Sequence, residues 1–171
     1  SSVTVVLPGG KPTSAIQTQS ITLSDNTVNR RDMRRLMDKG TNRQTKGTHQ
    51  AMQMQTLQYG LDEVRDISDP RGMRGRILSV DYTIVSAART SLANFREALA
   101  LNHLSVNRFI HAGYAAGVAC LSEEDRDLGS TVIDFGGGTT AMATFMDGKL
   151  IYADSIPLGG HHVTTDIARI L

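Results

Sequence analysis

The run Thr131-Val132-Ile133-Asp134-Phe135-Gly136-Gly137-Gly138-Thr139-Thr140-Ala141-Met142-Ala143-Thr144-Phe145 sets an acid and three consecutive glycines between two β-prone segments. Glycine lacks Cβ, so its backbone can take positive φ and come close to a ligand. Successive N–H groups in such a turn form an anion-binding concavity. Asp134 closes an apolar strand and is placed to hold a hydrated Mg²⁺. The run reads as a nucleotide phosphate loop.

The residues after the glycines decide which kind. A dinucleotide fingerprint or a Walker A loop opens a helix, the latter with Gly-Lys-Ser/Thr. Here Thr139 to Phe145 is β-prone and lacks lysine, Asp147-Gly148 is a hairpin signal, and Lys149 to Asp154 reads as another strand. The order is strand, glycine turn, strand, hairpin, strand, then Ile156-Pro157-Leu158-Gly159-Gly160 and a helix. It excludes the Rossmann and P-loop readings. Val163, Ile167, Ile170 and Leu171 stand at the i, i+4, i+7, i+8 positions of one helix face. No cap residue comes after Leu171, and the chain starts without Met, the pattern expected of a piece of a longer protein.

The 171 residues suffice for a real core, and 40% hydrophobic with 20% charged residues is ordinary for a globular protein. A net charge of +1 gives no global pull toward nucleic acid or membrane, and no apolar run is long enough to cross a bilayer. Cys120 is the single cysteine, which excludes an internal disulfide; its Ala/Gly-rich surroundings predict a small buried residue, and a reducing cytoplasm fits it best.

Upstream, Val3 to Leu7 and Ala15 to Leu23 flank the turn cluster Pro8-Gly9-Gly10-Lys11-Pro12 and predict a β-hairpin. Asn29 with Asp32 resembles a capping box ahead of a helix whose stripe is Met33, Leu36 and Met37. Gly40 to Gly47 reads as a loop, His49 to Tyr59 as a half-exposed strand, Asp69 to Gly72 as a turn and Ile77 to Val85 as a strand. Ala88, Leu92, Phe95 and Leu99 mark an amphipathic helix, Val106 to Ile110 a short strand. Ala112 to Leu121 carries the small residues Gly113, Ala116, Gly117 and Cys120, suited to close helix packing. Ser122 to Asp127 reads as a short helical turn or an acidic loop.

Arg30, Arg31, Arg34, Arg35, Lys39, Arg43 and Lys46 stand against only Asp32 and Asp38. The run reads either as a solvated helix face or as a contact surface for an acidic partner. His161 and His162 are adjacent, so on a helix they point about 100° apart and lack the spacing of paired metal ligands. The methionines at 33, 37, 52, 54 and 73 read as fillers of core or interface gaps.

Asp134, Gly136 to Gly138 and Thr139-Thr140, followed by Leu158-Gly159-Gly160 before a helix, resemble the second phosphate motif of the actin-like ATPase superfamily, which includes actin, Hsp70 chaperones, sugar kinases and bacterial filament proteins. That resemblance implies ATP and Mg²⁺ as cofactors. Asp134 would hold the metal through water, and Gly136, Gly137, Gly138, Thr139 and Thr140 would contact the β- and γ-phosphates, with Gly159 and Gly160 as further cofactor-binding positions. Ile67-Ser68-Asp69-Pro70-Arg71-Gly72-Met73-Arg74-Gly75 resembles the Ile-x-x-Pro-x-Gly-Met-x-Gly segment of the FtsA family of bacterial cell-division proteins. Ala112 to Ala116 and Leu121 to Gly129 resemble that family's linker helix and the acidic turn after it. The likeness runs from about Ile21 to Leu171; Ala141 departs from it where the family often has an acid, and Gln58 where it often has proline.

The FtsA resemblance implies an α+β, ribonuclease H-like fold of the actin-like ATPase type. Residues 1–107 would form the 1C interaction subdomain, 108–128 a linker helix and acidic turn, and 129–171 the start of subdomain 2A, a β-meander and helix. It implies an ATP-binding adaptor that self-associates into filaments with other FtsA subunits, anchors FtsZ at the cytoplasmic face of the inner membrane at the division site, and hydrolyses ATP slowly if at all. Membrane and FtsZ contacts would lie in regions outside this chain. Later division proteins would dock on 1C, where Arg30, Arg31, Arg34 and Arg35 are the candidate surface, and no nucleic acid is implied. The phosphate loop alone leaves a sugar kinase or an Hsp70-type ATPase as the alternative.

Overall fold

The computed structural model describes residues 1–43 and 47–170. Strand β1 (Ser2–Leu7) lies parallel to a strand roughly a hundred residues further on, whose last residue His111 stands opposite Leu7. Parallel neighbours require a crossover between them. Here the crossover contains a whole antiparallel sheet: β2 (Thr13–Thr22), helix α1 (Arg30–Arg43), β3 (His49–Leu61), β4 (Val64–Ile67) and β5 (Ile77–Ala88), with sheet order β2-β5-β3-β4. Helix α2 (Arg89–Ala100) then leads into β6 (Ser105–His111), the partner of β1.

β5 is an inner strand with one apolar face, while its other face carries Ser79, Asp81 and Thr83 before it turns apolar at Val85 and Ala87. Leu78, Val80, Tyr82 and Ile84 pack with Ile21, Leu23, Val28 and Leu61 beneath α1, which contributes fully buried Leu36 and partly buried Met33 and Met37. The alternate residues Val85 and Ala87 face other clusters, as the two-residue period of a strand requires. The predicted cap of α1 is present. Asn29 Oδ1 accepts from the N–H groups of Arg31 and Asp32, and Asp32 Oδ2 accepts from Asn29 N–H.

Three readings from the sequence are corrected. Val3–Leu7 and Ala15–Leu23 make no hairpin, because β1 pairs with β6 and β2 with β5; the intervening turn, with left-handed Gly10 and Lys11, carries the chain from one sheet to another. The loop predicted from Gly40 is helix through Arg43; Gly40 is buried against the Tyr82 ring and serves packing rather than helix termination. The rest of that predicted loop, residues 44–46, lies outside the described residues. Cys120 is exposed: the packed stripe of its helix runs through residues 113, 117 and 121, and 120 falls beside it. Met73, 38% exposed, fills no core gap, which leaves the interface alternative.

Helix α3 (Ala112–Cys120) and α4 (Glu123–Leu128) lead to the meander β7 (Ser130–Phe135), β8 (Thr140–Met146) and β9 (Lys149–Ile156), and α5 (Gly160–Ile170) comes last. The boundary expected between residues 107 and 108 falls inside β6. α4 starts at a capping box in which Ser122 and Asp125 bond each other's backbone N–H. Asp147 and Gly148, both with positive φ, form the hairpin tip, and their N–H groups donate to the carbonyls of Asp127 and Arg126 at the end of α4.

α3 lies directly on the meander. A Cβ on Gly113 would stand 2.8 Å from the Met142 carbonyl carbon, and one on Gly117 2.3 Å from Phe145 Cε2. Between them Tyr114 stacks on Phe145, with ring centroids 5.9 Å apart. The two sheets meet along β9. Its N–H groups at Leu150 and Ala153 donate to Gln55 Oε1 and Ser14 Oγ, and Lys149 Nζ donates to the Leu57 carbonyl. Side chains of the first sheet thus satisfy an otherwise open strand edge.

Gly117→Ala is predicted to destabilise the full-length protein by about 1–3 kcal/mol through overpacking, although alanine alone would favour a helix by about 1 kcal/mol. Gly137→Ala, where a Cβ meets nothing within 4 Å, serves as the control and should change stability by less than about 0.5 kcal/mol. Urea midpoints of the two variants decide; equal midpoints would remove the close contact as the reason for glycine at 117.

Candidate functional site

β7 ends at Phe135 opposite Thr140, the first residue of β8, leaving Gly136 to Thr139 as the connection. Gly136 N–H donates to the Thr139 carbonyl across the turn at 3.0 Å. The start of α5 is fastened to the same turn: the N–H groups of Gly160 and His161 donate to the carbonyls of Gly136 and Gly137 at 2.9 and 2.8 Å. Thr140 Oγ1 donates to the Leu158 carbonyl, and Gly159 N–H donates to His162 Nδ1. The two glycine motifs, separated by a strand and a hairpin in sequence, are therefore one structure.

The sequence leads one to expect positive φ and close approach to a ligand from these glycines, and none of Gly136, Gly137, Gly138, Gly159 or Gly160 adopts the left-handed conformation. Close approach is the requirement: a Cβ on Gly159 would lie 2.4 Å from the Gly136 oxygen. Gly159 is buried behind the turn, and the first amides of α5 are engaged by its carbonyls. Gly137 and Gly138 face open space, and their N–H groups donate to no acceptor among the described residues. Those two amides are the ones available to an anion.

Asp134 is half-buried on β7 opposite Ala141, which is 1% exposed. Among the described residues no group bonds its carboxylate, and no three His, Cys, Asp or Glu side chains are grouped so as to hold a metal ion. A single free carboxylate beside a glycine turn with two unengaged amides would suit Mg²⁺, which keeps several waters and takes further oxygens from phosphate. Thr139 and Thr140 flank the turn on the β8 side.

One residue to which the sequence reading gives no role stands out. His111, where β6 passes into α3, has no exposed surface, and neither ring nitrogen has a hydrogen-bond partner among the described residues. Burial pushes its pKa below the usual histidine value, opposed by the backbone and carboxylate of Asp154 and the carboxylate of Asp134. An apolar strand ending in histidine carries no distinguishing sequence pattern.

The basic residues of α1 divide into two groups. Arg35 Nη2 and Lys39 Nζ donate to the carbonyls of Thr22 and Ser20 on edge strand β2, covering that edge. Arg30 and Arg34 instead line a cavity of about 440 Å³ with Tyr59, Ser68, Asp69 and Arg71, while Arg31 is exposed. Hydrogen bonds from Arg71 lower the Asp69 pKa to about 2, so that carboxylate stays charged beside the arginines. A further cavity, about 560 Å³, lies where Met52 to Thr56 of β3 face Arg108 to Ile110 of β6 and Tyr114.

Comparison with known proteins gives two family matches on this chain: "SHS2 domain inserted in FTSA" over residues 9–86 and "Cell division protein FtsA" over residues 131–171. The chain belongs to the FtsA family. The cell division protein FtsA of Agrobacterium fabrum (strain C58 / ATCC 33970) is 38% identical over 168 residues, covering 98% of this chain and 38% of the relative. That of Rhizobium meliloti (strain 1021) is 35% identical over the same shares, and that of Bacillus subtilis (strain 168) 35% over 65% of this chain and 25% of the relative. The chain thus spans well under half the length of these FtsA relatives. The PilM-PilN type IV pilus biogenesis complex matches in structure with a TM-score of 0.52 at 18% identity, over 93% of this chain and 44% of that one. It shows the fold alone, a mixed α+β fold. The SHS2 match coincides with the sheet β2-β5-β3-β4 and α1, inserted in the crossover between β1 and α2 of this chain.

Because the folded protein keeps His111 neutral while the unfolded chain takes up its proton near pH 6.5, acidification favours unfolding. Stability of the full-length protein should therefore be complete above about pH 7 and fall as the pH drops below that unfolded value. His111→Leu should flatten this slope. Denaturant midpoints between pH 7.5 and 5.5 check it, and parallel slopes for variant and parent would reject the assignment.

Proposed function

We propose that the full-length protein is a cell-division adaptor that binds Mg-ATP at the Gly136–Thr140 turn. In this reading it self-associates into actin-like filaments and anchors the FtsZ ring at the cytoplasmic face of the inner membrane, while later division proteins dock on the SHS2 insertion. The observation that carries it is the pair of unengaged amides at Gly137 and Gly138 beside the free Asp134 carboxylate, in a chain of the FtsA family. Mg²⁺, when bound, neutralises phosphate charge. Gly137 and Gly138 donate N–H bonds to phosphate oxygens, and Asp134 accepts from water on the metal. FtsZ and the membrane are met by parts of the protein outside these residues.

Nucleotide acts in this account by linkage. A ligand favours the conformation it binds more tightly, and only by that difference. Contacts between subunits then read the favoured conformation, so rapid hydrolysis is unnecessary. The family match and the SHS2 insertion favour this adaptor over a sugar kinase or an Hsp70-type ATPase.

Electron microscopy of the full-length protein on a lipid monolayer should show filaments with Mg-ATP and few or none without it, and Asp134→Ala should abolish the Mg²⁺-dependent gain. ATP binding without filaments, or turnover of a small hydroxylated substrate, would shift the reading to an enzyme. For the α1 surface, Arg30→Glu with Arg34→Glu should weaken filament formation or capture of a division protein at least fivefold. Unchanged behaviour would leave these arginines as a solvated face.

A further inference from the structure

Beside the glycine turn lies a cavity of about 480 Å³ whose lining includes Gly10, Lys11, Thr90, Ser91, Thr139 and Ser155. It sits where β1 has ended and the chain turns into the SHS2 insertion. A Cβ on Gly9 would lie 3.3 Å from the Thr139 methyl group, so the Gly9–Lys11 turn faces the phosphate turn directly. Thr139 belongs to both.

The chemistry of this cavity is one-sided. Its lining contains one ammonium and four hydroxyl groups and no carboxylate, whereas the cavity near Ile16 and Leu57 contains Asp66, Asp81 and Asp147. Thr90 and Ser91 belong to the first turn of α2, which has no acidic residue and no side-chain cap; Arg89 N–H donates to the Thr48 carbonyl, and the free N–H groups left in such a turn favour a negative charge. Lys11 is exposed, and none of the described residues bonds or ion-pairs with it. It stands at φ +52° directly after Gly10 at +95°, an uncommon conformation for a lysine that the turn between two sheets imposes.

We propose that Lys11, assisted by the hydroxyls of Thr90 and Ser91, holds the terminal phosphate of the nucleotide from the side opposite Gly137 and Gly138. This rests on the Mg-ATP reading of the glycine turn and adds a residue that makes the site prefer a triphosphate to a diphosphate. With ADP, Lys11 faces water. With ATP, its ammonium pairs with γ-phosphate oxygens, a charge-assisted contact. The lysine belongs to the first turn of the inserted domain, so nucleotide state is sensed by SHS2 itself.

The test is titration of full-length protein with Mg-ATP, Mg-ADP and inorganic phosphate. Lys11→Asn removes the charge while tolerating the left-handed backbone, and a thermal melt confirms folding. The expected result is at least a fivefold loss of ATP affinity with ADP affinity changed less than twofold, partial recovery in Lys11→Arg, and a smaller ATP-selective loss in Ser91→Ala. Equal losses for ATP and ADP, or no loss, would overturn the proposal while leaving the glycine turn as a nucleotide site. Parent protein that binds neither nucleotide would overturn the glycine-turn reading as well, and Lys11-dependent binding of inorganic phosphate alone would make the cavity a free-anion site instead.

Discussion

The seat of α3 on β8 is the contact on which the arrangement depends. Gly113 rests on the backbone at Met142 and Gly117 under the Phe145 ring, so the helix lies closer to the sheet than any side chain would allow. Because α3 continues from β6 without a connecting loop, this contact also fixes where the β1–β6 pair ends. The turn after β1 consequently meets the turn between β7 and β8. Two loops about 130 residues apart in sequence come to share one cavity, and neither strand pair could achieve this alone.

Local chemistry was legible in the sequence. Asp147-Gly148 specifies its own turn type, Asn29 with Asp32 its own cap, and the meander with its glycine connection is implied by β-prone runs at short spacing. Even the contact surface of α3 was signalled by its small residues. Hidden from the sequence were facts that depend on distant partners. β-prone runs flanking Pro8 to Pro12 look the same whether they pair with each other or with strands far along the chain. Gly40 reads as a breaker because nothing local reveals the Tyr82 ring against it, and Cys120 reads as buried because one residue decides which side of a helix it occupies.

The candidate site shows the same division. Its residue types were readable, since acid, glycines and threonines are contiguous. The physical role of the glycines was not, because the need for close approach arises from Gly159 packing behind Gly136, a tertiary contact. Placing α5 there uses its first amides to hold the turn and leaves Gly137 and Gly138 as donors. Lys11 and His111 carry no motif. Their significance comes from the parallel pairing of β1 with β6, which brings one to the rim of the site and buries the other beneath it.

The central claim is that the glycine turn and the first turn of the SHS2 insertion enclose the phosphates of one nucleotide. A crystal structure of the full-length protein with Mg²⁺ and a non-hydrolysable ATP analogue tests it most directly. The account predicts phosphate oxygens within hydrogen-bond distance of the Gly137 and Gly138 amides, the metal joined to Asp134 through water, and the terminal phosphate beside Lys11. Nucleotide bound elsewhere, with the turn and its facing lysine both vacant, would contradict it.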